Sequence, residues 1–441
     1  MNSAAPRSCI VIGAGLAGLA ATRFLALRGW SVTVLEAGAK LGGRVVSYRF
    51  KEAPSLVCEL GGEWIGRDHT RMIELCKELR LETMSHRYGF RFWRAGSGLP
   101  RRAYPPGAWP FSRHAKKEFK AFGRALNLYS EAEKIQLDRL DWWSQLRLIG
   151  FTEDELRSRD LMDSTDFGES IRMISAYAGA TEYVESNSTD EMDRKIVGGN
   201  DQLPEALAAD IRRCRGQILT GVFVVAVKQS NRGVKVYVRE MEQPYKAELC
   251  ICATATRALT LMEWDPVLPE DHYRAALELQ YARIVKTAIL CPTRFWPRTR
   301  RYGFSVFTDR VSDFCFDATF GQEGEEGILC SYAIGDKADD VASERRDDIA
   351  EWVIQDVGKA CLIPNLPRHR DVKRCSWQRD TLTGGSYAIY RPGQWFTVRS
   401  ILQRPHHRVF FAGEHLADWQ GFMEGAVQSG EATAATVLRQ S

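Results

Sequence analysis

Hydrophobic positions gather first near the start of the chain. Residues 9–12 (CIVI) form the short continuous apolar run of a buried strand, and residues 16–28 carry Ala and Leu with helical character. Ser31–Glu36 (SVTVLE) reads as a second strand, set off by Gly29 before it and Gly38 after it. These elements predict a β-α-β unit. A second strand-rich stretch covers residues 218–252: GVFVVAV, a turn at Asn231-Arg232-Gly233, the alternating VKVYV, then ELCICA. A third apolar strand, residues 409–412, leads through Gly413 into a helix ending near Leu438. Longer and more charged blocks lie between, rich in Trp, Arg and amphipathic helical pattern. The simplest architecture is α/β: a Rossmann-like dinucleotide domain of the GxGxxG type from residues 1–85, 196–278 and 376–441, with an inserted α+β substrate-binding domain from residues 86–195 and 279–375.

Composition narrows the class. The 441 residues allow more than one sizeable core. With 44% hydrophobic and 26% charged residues the chain is neither disordered nor fibrous. Sixty basic residues against 56 acidic ones leave +4, too balanced to predict nucleic-acid binding. Eleven cysteines, with no Cys-x-x-Cys pair and no Cys/His cluster, indicate neither a disulfide framework nor a metal site. Reduced thiols in a cytoplasmic chain fit best. No stretch reaches about 18 apolar residues in a row, residues 10–27 contain three glycines and an arginine unlike a signal peptide, and the sequence given ends at Ser441 without an apolar tail. No membrane association is expected.

Gly13-x-Gly15-x-x-Gly18 falls where the first strand turns into the helix. The first glycine permits the turn, the second lets a pyrophosphate approach the backbone near Ala14, and the third lets the helix pack on the sheet. Glu36, 18 residues beyond Gly18, ends the second strand, where a carboxylate can accept from ribose hydroxyls. Leu41-Gly42-Gly43-Arg44 then puts a guanidinium where it can clamp a phosphate. Paired glycines recur at Gly61-Gly62, before Glu63 and Trp64. A second clamp and a second close approach suggest a large, extended cofactor such as FAD.

Seven ordered segments now resemble the flavin-containing amine oxidase family, which includes monoamine, polyamine and L-amino acid oxidases: VIGAGLAGLAA, LEAGAKLGGRV, ELGGEWIG, KIVGGNDQLPEAL, IVKTAIL with a following FW, TGGSYAIYRPG, and FFAGEHLADWQGFMEGAVQSGEATAA. The resemblance runs from residue 9 to about 438. In IVKTAIL a period of two puts Lys286 on one face with Ile284, Ala288 and Leu290. The pattern alone leaves a snorkelling strand-end lysine and a functional one equally open. The resemblance makes Lys286 the lysine that holds a water near flavin N5 and assists reoxidation by oxygen. It likewise makes Tyr387 and Phe422 the aromatic pair over the flavin, a slot that would favour the neutral amine by desolvation. Trp64 joins them as a substrate contact. Serine at 386 stands where some monoamine oxidases carry the cysteine that bonds to flavin, so FAD is expected to be noncovalent.

By the same resemblance Glu414, after Gly413, reaches a ribityl hydroxyl. The helix starting near Phe422 and Met423 points its positive end at the flavin's pyrimidine edge. Val222 opens a strand on the adenine side and Trp377 packs beside the isoalloxazine, although both could equally be core residues. L-amino acid oxidases commonly carry an arginine shortly after the paired glycines, to bind the substrate carboxylate. Here Glu63, Trp64 and Ile65 hold that place, which favours a simple amine, while Arg91, Arg94 or Arg172 could still reach the cavity. Glu63 reads either as a partner for a second cationic group on a diamine or as a neighbour of the flavin ring.

The resemblance therefore implies an FAD-dependent amine oxidase: amine to imine, then a carbonyl compound plus ammonia or amine, with O2 reduced to H2O2. The expected partners are a small-molecule amine and O2, with neither nucleic acid nor membrane and with a homodimer left open. The alternatives are an L-amino acid oxidase, a desaturase or porphyrinogen-type oxidase on the same fold, and a flavin-binding protein without turnover.

Overall fold

Ser8–Ile12 forms the middle strand of a five-stranded parallel sheet. A computed structural model of the chain describes residues 7–94, 103–105, 108, 111–185 and 192–440. Across the sheet the order is Val409–Phe411, Leu249–Cys252, Ser8–Ile12, Ser31–Glu36 and Gln217–Thr220, so three distant stretches of chain build one layer. The order reverses direction beside the first strand, and ligands of such sheets bind at the carboxyl ends of strands at that point. The α/β, Rossmann-like class expected from the pattern is the one observed.

Two local readings change. ELCICA, grouped by sequence with the strands before it, leaves them and pairs in parallel with Ser8–Ile12. Leu249–Cys252 is buried at every position, the mark of a central parallel strand, whereas the hairpin of Val224–Ser230 and Gly233–Val238 is buried mainly at alternate residues. Val222 does not open a strand. It lies in the break between Gln217–Thr220 and Val224–Ser230, after Gly221 at φ +71°, and its N–H donates to the Glu36 carbonyl at 2.8 Å. Gly221 uncouples the two strands so that each can join a different sheet.

Leu16–Ala26 begins immediately after the glycine turn. A Cβ on Gly18 would lie 2.0 Å from the Gly13 carbonyl oxygen, so the third glycine is required by the packing of helix on strand. The helix Met423–Arg439 crosses Leu16–Ala26 equally closely, with Gly430 against the Ala17 carbonyl.

The second layer is a seven-stranded mixed sheet in the order Asp371–Ser376, Ile284–Cys291, Gly327–Ile334, Phe314–Asp317, Gly303–Thr308, Tyr88–Trp93 and Ala103–Tyr104. Ile284–Cys291 is buried along its whole length. Val285, Ile289 and Cys291 pack into a core with the helices Gly335–Ser343 and Arg346–Cys361, whereas Ala288 and Leu290 meet Phe50, Leu56 and Leu60. The helix Glu153–Phe167, opened by a capping box of Thr152 and Glu155 and closed at left-handed Gly168, packs on the same sheet against Gly327–Ile334 and Gly303–Thr308. Among the described residues, no helix is long and apolar enough to cross a membrane.

Candidate active site

A single cavity of about 1400 Å³ joins the carboxyl ends of the parallel strands to the inner face of the seven-stranded sheet. Ligand pockets commonly measure about 300–1,000 Å³, so this one has room for an extended cofactor and a substrate together.

The end beside the parallel sheet is built from the glycine turns. A Cβ on Gly15 would meet nothing within 4 Å, while one on Gly43 would lie 3.3 Å from the Gly15 Cα. The two turns touch, the Gly42 N–H donating to the Ala14 carbonyl at 2.9 Å, and Gly15 is open only on the side that faces the cavity. Glu36 accepts from the Ala14 N–H at 2.6 Å and from the Gly38 N–H at 2.7 Å, and it lines the cavity. Ala14 and Gly18 are behind this wall, where they shape the turn. The helices Leu16–Ala26 and Met423–Arg439 both start at the cavity, and neither has a side-chain cap. Glu424, in the first turn of the second, points away: its carboxylate accepts from the N–H groups of Arg71 at 3.0 Å and Met72 at 2.7 Å. The free N–H groups of both helix starts are therefore available to an anionic ligand.

Arg44 also lines the cavity, but its Nη1 donates to Glu414 Oε1 at 2.8 Å and to the Ser386 carbonyl at 2.6 Å. Glu414 further accepts from the N–H groups of Ala388 at 3.2 Å and Gly421 at 2.9 Å. One ion pair thus ties together the loops that carry Gly43, Ser386 and Phe422. Two buried polar atoms in the adjoining wall, His415 Nδ1 and Gln420 Oε1, have no hydrogen-bond partner among the described residues. Burial holds His415 neutral by pushing its pKa down to about 4.

Lys286 rises from the seven-stranded sheet into this cavity. Its ammonium donates to Glu63 Oε2 at 2.7 Å, to the Gly61 carbonyl at 3.0 Å and to the Glu59 carbonyl at 3.3 Å. An ammonium has three N–H bonds, so any ligand of Lys286 takes one over from the protein, the long Glu59 contact being the weakest. Glu63 is bound on its other oxygen by Lys195 Nζ at 2.5 Å. Lys195, Glu63 and Lys286 are each 5–6% exposed. Burial by itself would pull the Lys286 pKa down, but the Glu63 carboxylate outweighs it and raises it. Burial would raise the Glu63 pKa, and the two ammonium groups lower it instead. Both groups are charged at neutral pH. Of the two sequence readings of Glu63, pairing with a second cation on the substrate loses its ground, because two lysines already hold its charge.

The aromatic residues surround the same space. Tyr387 and Phe422 both line it, with Gly421 packed on the Tyr387 ring. The Tyr387 hydroxyl lies 3.0 Å from that of Tyr332 and donates to the Thr165 carbonyl at 3.2 Å. Phe422 caps the helix Met423–Arg439 and is braced by Trp419 and His69. Trp377 is held by its indole N–H on the Leu60 carbonyl at 2.8 Å. Trp64 packs edge-on against Tyr88 and His86 beneath the Lys195 ammonium. Gly61, Gly62, Val222, Gly413 and Met423 also line the wall.

Arg91, Arg94 and Arg172 do not line the cavity. Arg172 stacks on Trp143 and Arg94 pairs with Asp154. Among the described residues, the cavity arginines besides Arg44 are Arg87, Arg124 and Arg159. Arg159 is buried against Asp163 at 2.7 Å and faces the rings of Phe119 and Tyr183, its Nε without a hydrogen-bond partner among the described residues. Further along the same helix Asp166 opens into the cavity and accepts from the Tyr183 hydroxyl at 2.5 Å. Burial pushes Asp163 up to about 7 and Asp166 to about 6. Sequence reasoning missed Lys195, Tyr332, Arg159 and Asp166. The i, i+4, i+7 spacing of Arg159, Asp163 and Asp166 was the available signal, but it reads equally as a solvated helix face.

Residues 16–438 match the family model described as flavin containing amine oxidoreductase. The chain belongs to that family. Among its relatives is an L-amino-acid oxidase of Crotalus adamanteus, 27% identical over an alignment covering 99% of this chain and 88% of that protein. Solved structures with the same fold include a putrescine oxidase with putrescine bound, 21% identical with a TM-score of 0.83, and the cyclohexylamine oxidase of Brevibacterium oxydans IH-35A, also 21% identical with a TM-score of 0.83. Each alignment covers 99% of both chains. As a flavin-containing amine oxidoreductase the chain takes a flavin as its cofactor. Its cavity joins an end lined by glycine turns and two uncapped helix starts to an aromatic chamber floored by a buried lysine.

Proposed function

We propose that this chain is an FAD-dependent amine oxidase that holds FAD noncovalently and uses O2 as electron acceptor. The observation that carries the reading is the meeting of Lys286, charged and buried, with Tyr387 and Phe422 in one cavity continuous with a glycine-lined nucleotide site. A dinucleotide fits the residues present: the uncapped start of Leu16–Ala26 for its phosphates, the uncapped start of Met423–Arg439 for the pyrimidine edge, Glu36 for a ribose, and the unpaired His415 Nδ1 and Gln420 Oε1 for polar groups between. When bound, FAD supplies the redox chemistry, accepting a hydride equivalent from the amine carbon and passing two electrons to O2. With water, a primary amine and O2 then give a carbonyl compound, ammonia and H2O2. The aromatic walls desolvate the nitrogen and favour its neutral form, whose lone pair assists loss of hydride. Lys286 holds a positive charge and an exchangeable hydrogen-bond donor at the edge of that chamber.

A simple amine is favoured because Trp64 stands where an amino-acid carboxylate would need an arginine, and Arg44 is committed to Glu414. The second reading, an L-amino acid oxidase, draws on the relatives' names and on the unpaired Nε of Arg159 in the cavity wall. Anaerobic titration of the purified flavoprotein with monoamines, diamines and L-amino acids separates the two. Bleaching of the visible flavin band by amines is expected. Bleaching by L-amino acids alone would select the second reading, and a protein that takes up no FAD would overturn both.

Ser386 has no thiol to bond to a flavin, so acid precipitation should release all the flavin to the supernatant. Yellow colour remaining in the washed pellet would refute noncovalent binding. All eleven cysteines are free and eight are buried, which supports a reducing, cytoplasmic setting.

A further inference from the structure

We propose that Lys195, which does not line the cavity, is a positioning residue that sets the electrostatic potential at the flavin by sharing the charge of Glu63 with Lys286. This rests on the reading of the cavity as an FAD site.

Lys195 comes from Arg194–Ile196, a short strand paired with Thr83–Ser85, far in sequence from both of its charged neighbours. Its ammonium meets Glu63 Oε1 at 2.5 Å while Lys286 meets Oε2 at 2.7 Å. It is fixed there by the Trp64 ring, 4.3 Å from its nitrogen. A second buried carboxylate, Glu59, accepts from Ser47 Oγ at 2.7 Å and from the Asn200 N–H at 3.0 Å. With only donors on its oxygens it is suited to the charged form, although burial raises its pKa. Of the other titratable groups that feel Lys195, His86 is kept neutral, its pKa lowered by burial and by the Lys195 charge, and the Cys58 and Cys330 thiols are kept neutral by burial, which pushes them up. The pocket thus holds two ammonium groups against two carboxylates.

Removing Lys195 leaves one ammonium against two carboxylates, none of them screened by bulk water. Glu63 then gives its whole charge to Lys286, and the positive field that Lys286 casts into the cavity is cancelled. A flavin gains negative charge as it takes up electrons, so it should become harder to reduce; the negative charge that develops on oxygen as it accepts electrons also loses its cationic neighbour, which should slow reoxidation. Lys195 therefore keeps Lys286 effectively cationic without touching the reacting atoms.

The test uses the FAD-loaded full chain, with the midpoint potential of bound flavin measured by spectroelectrochemistry and reoxidation measured by stopped flow. Lys195→Met, of similar length and without charge, is expected to shift the potential negative. It should also slow reoxidation about tenfold, the lower end of the 10- to 100-fold range known for outer partners of metal ligands, which likewise act on a centre through the group they hold. Lys195→Arg should restore both. Glu63→Gln leaves two ammonium groups against one carboxylate and should shift the potential in the opposite, positive direction. A packing role alone would not reverse sign between the two sites. A Lys195→Met potential equal to wild type would overturn the proposal, as would a negative shift in Glu63→Gln. Loss of flavin from both Lys195→Met and Lys195→Gln would also overturn it, since Lys195 would then hold the site together rather than set its charge. A wild-type chain that takes up no FAD would instead fell the function on which the proposal rests.

Discussion

Lys286→Met should slow reoxidation of the reduced flavin by oxygen about 10²-fold, the scale of losing one preorganised electrostatic group from a dry site. Anaerobic reduction by a good substrate should change far less. Methionine keeps most of the side-chain volume, and the neighbouring positions of Ile284–Cys291 are buried on both faces, so the strand should hold its shape. What disappears is the charge and its three donated hydrogen bonds. Glu63 remains paired with Lys195, so no lone buried carboxylate is created. Stopped-flow mixing of the substrate-reduced enzyme with oxygenated buffer reads the step directly. An unchanged oxidative rate would remove Lys286 from the oxygen reaction and leave it a structural ion pair.

Glu414→Ala should produce the largest loss of stability, about 3–5 kcal/mol, the usual cost of breaking a buried ion pair from one side. Arg44 would keep its guanidinium in the cavity wall with only the Ser386 carbonyl on the Nη1 that now serves both, and the N–H groups of Ala388 and Gly421 would lose their acceptor. Since these contacts join the loops on which Tyr387 and Phe422 sit, flavin retention should fail together with stability. Urea unfolding and the flavin-to-protein ratio after gel filtration measure the two effects. A variant with normal flavin content and an unchanged midpoint would show that the pair is dispensable.

Arg44 illustrates how far a motif can be read. Its presence after a glycine pair is plain in the sequence, and the cavity wall is where it is found. Its shown partners, Glu414 and the Ser386 carbonyl, lie 370 and 342 residues away, and nothing in the motif announced them. Val222 illustrates a different limit. GVFVVAV reads as one strand because its side chains suit a strand, yet Gly221 turns the backbone, the strand begins only at Val224, and residues 217–220 before the glycine join a different sheet. Among the arginines, Arg91, Arg94 and Arg172 had the right block of sequence and the wrong direction, because helical and strand periodicity say which residues share a face without saying what that face meets.

The sequence by itself determined the β-α-β unit, the glycine turns with Glu36 and the lysine in an apolar strand, whereas positions 387 and 422 stood out only through the resemblance to the family. The first three depend on local spacing, where backbone geometry and side-chain period act over a few residues. The tertiary structure alone decided that Lys195 and Lys286, 132 and 223 residues from Glu63, share its two oxygens, and that Tyr332 stands hydroxyl to hydroxyl with Tyr387. Those meetings depend on two sheets, each assembled from distant stretches of chain, closing over one cavity. There low dielectric makes every charge depend on its partners, and those partners are chosen by packing rather than by sequence spacing.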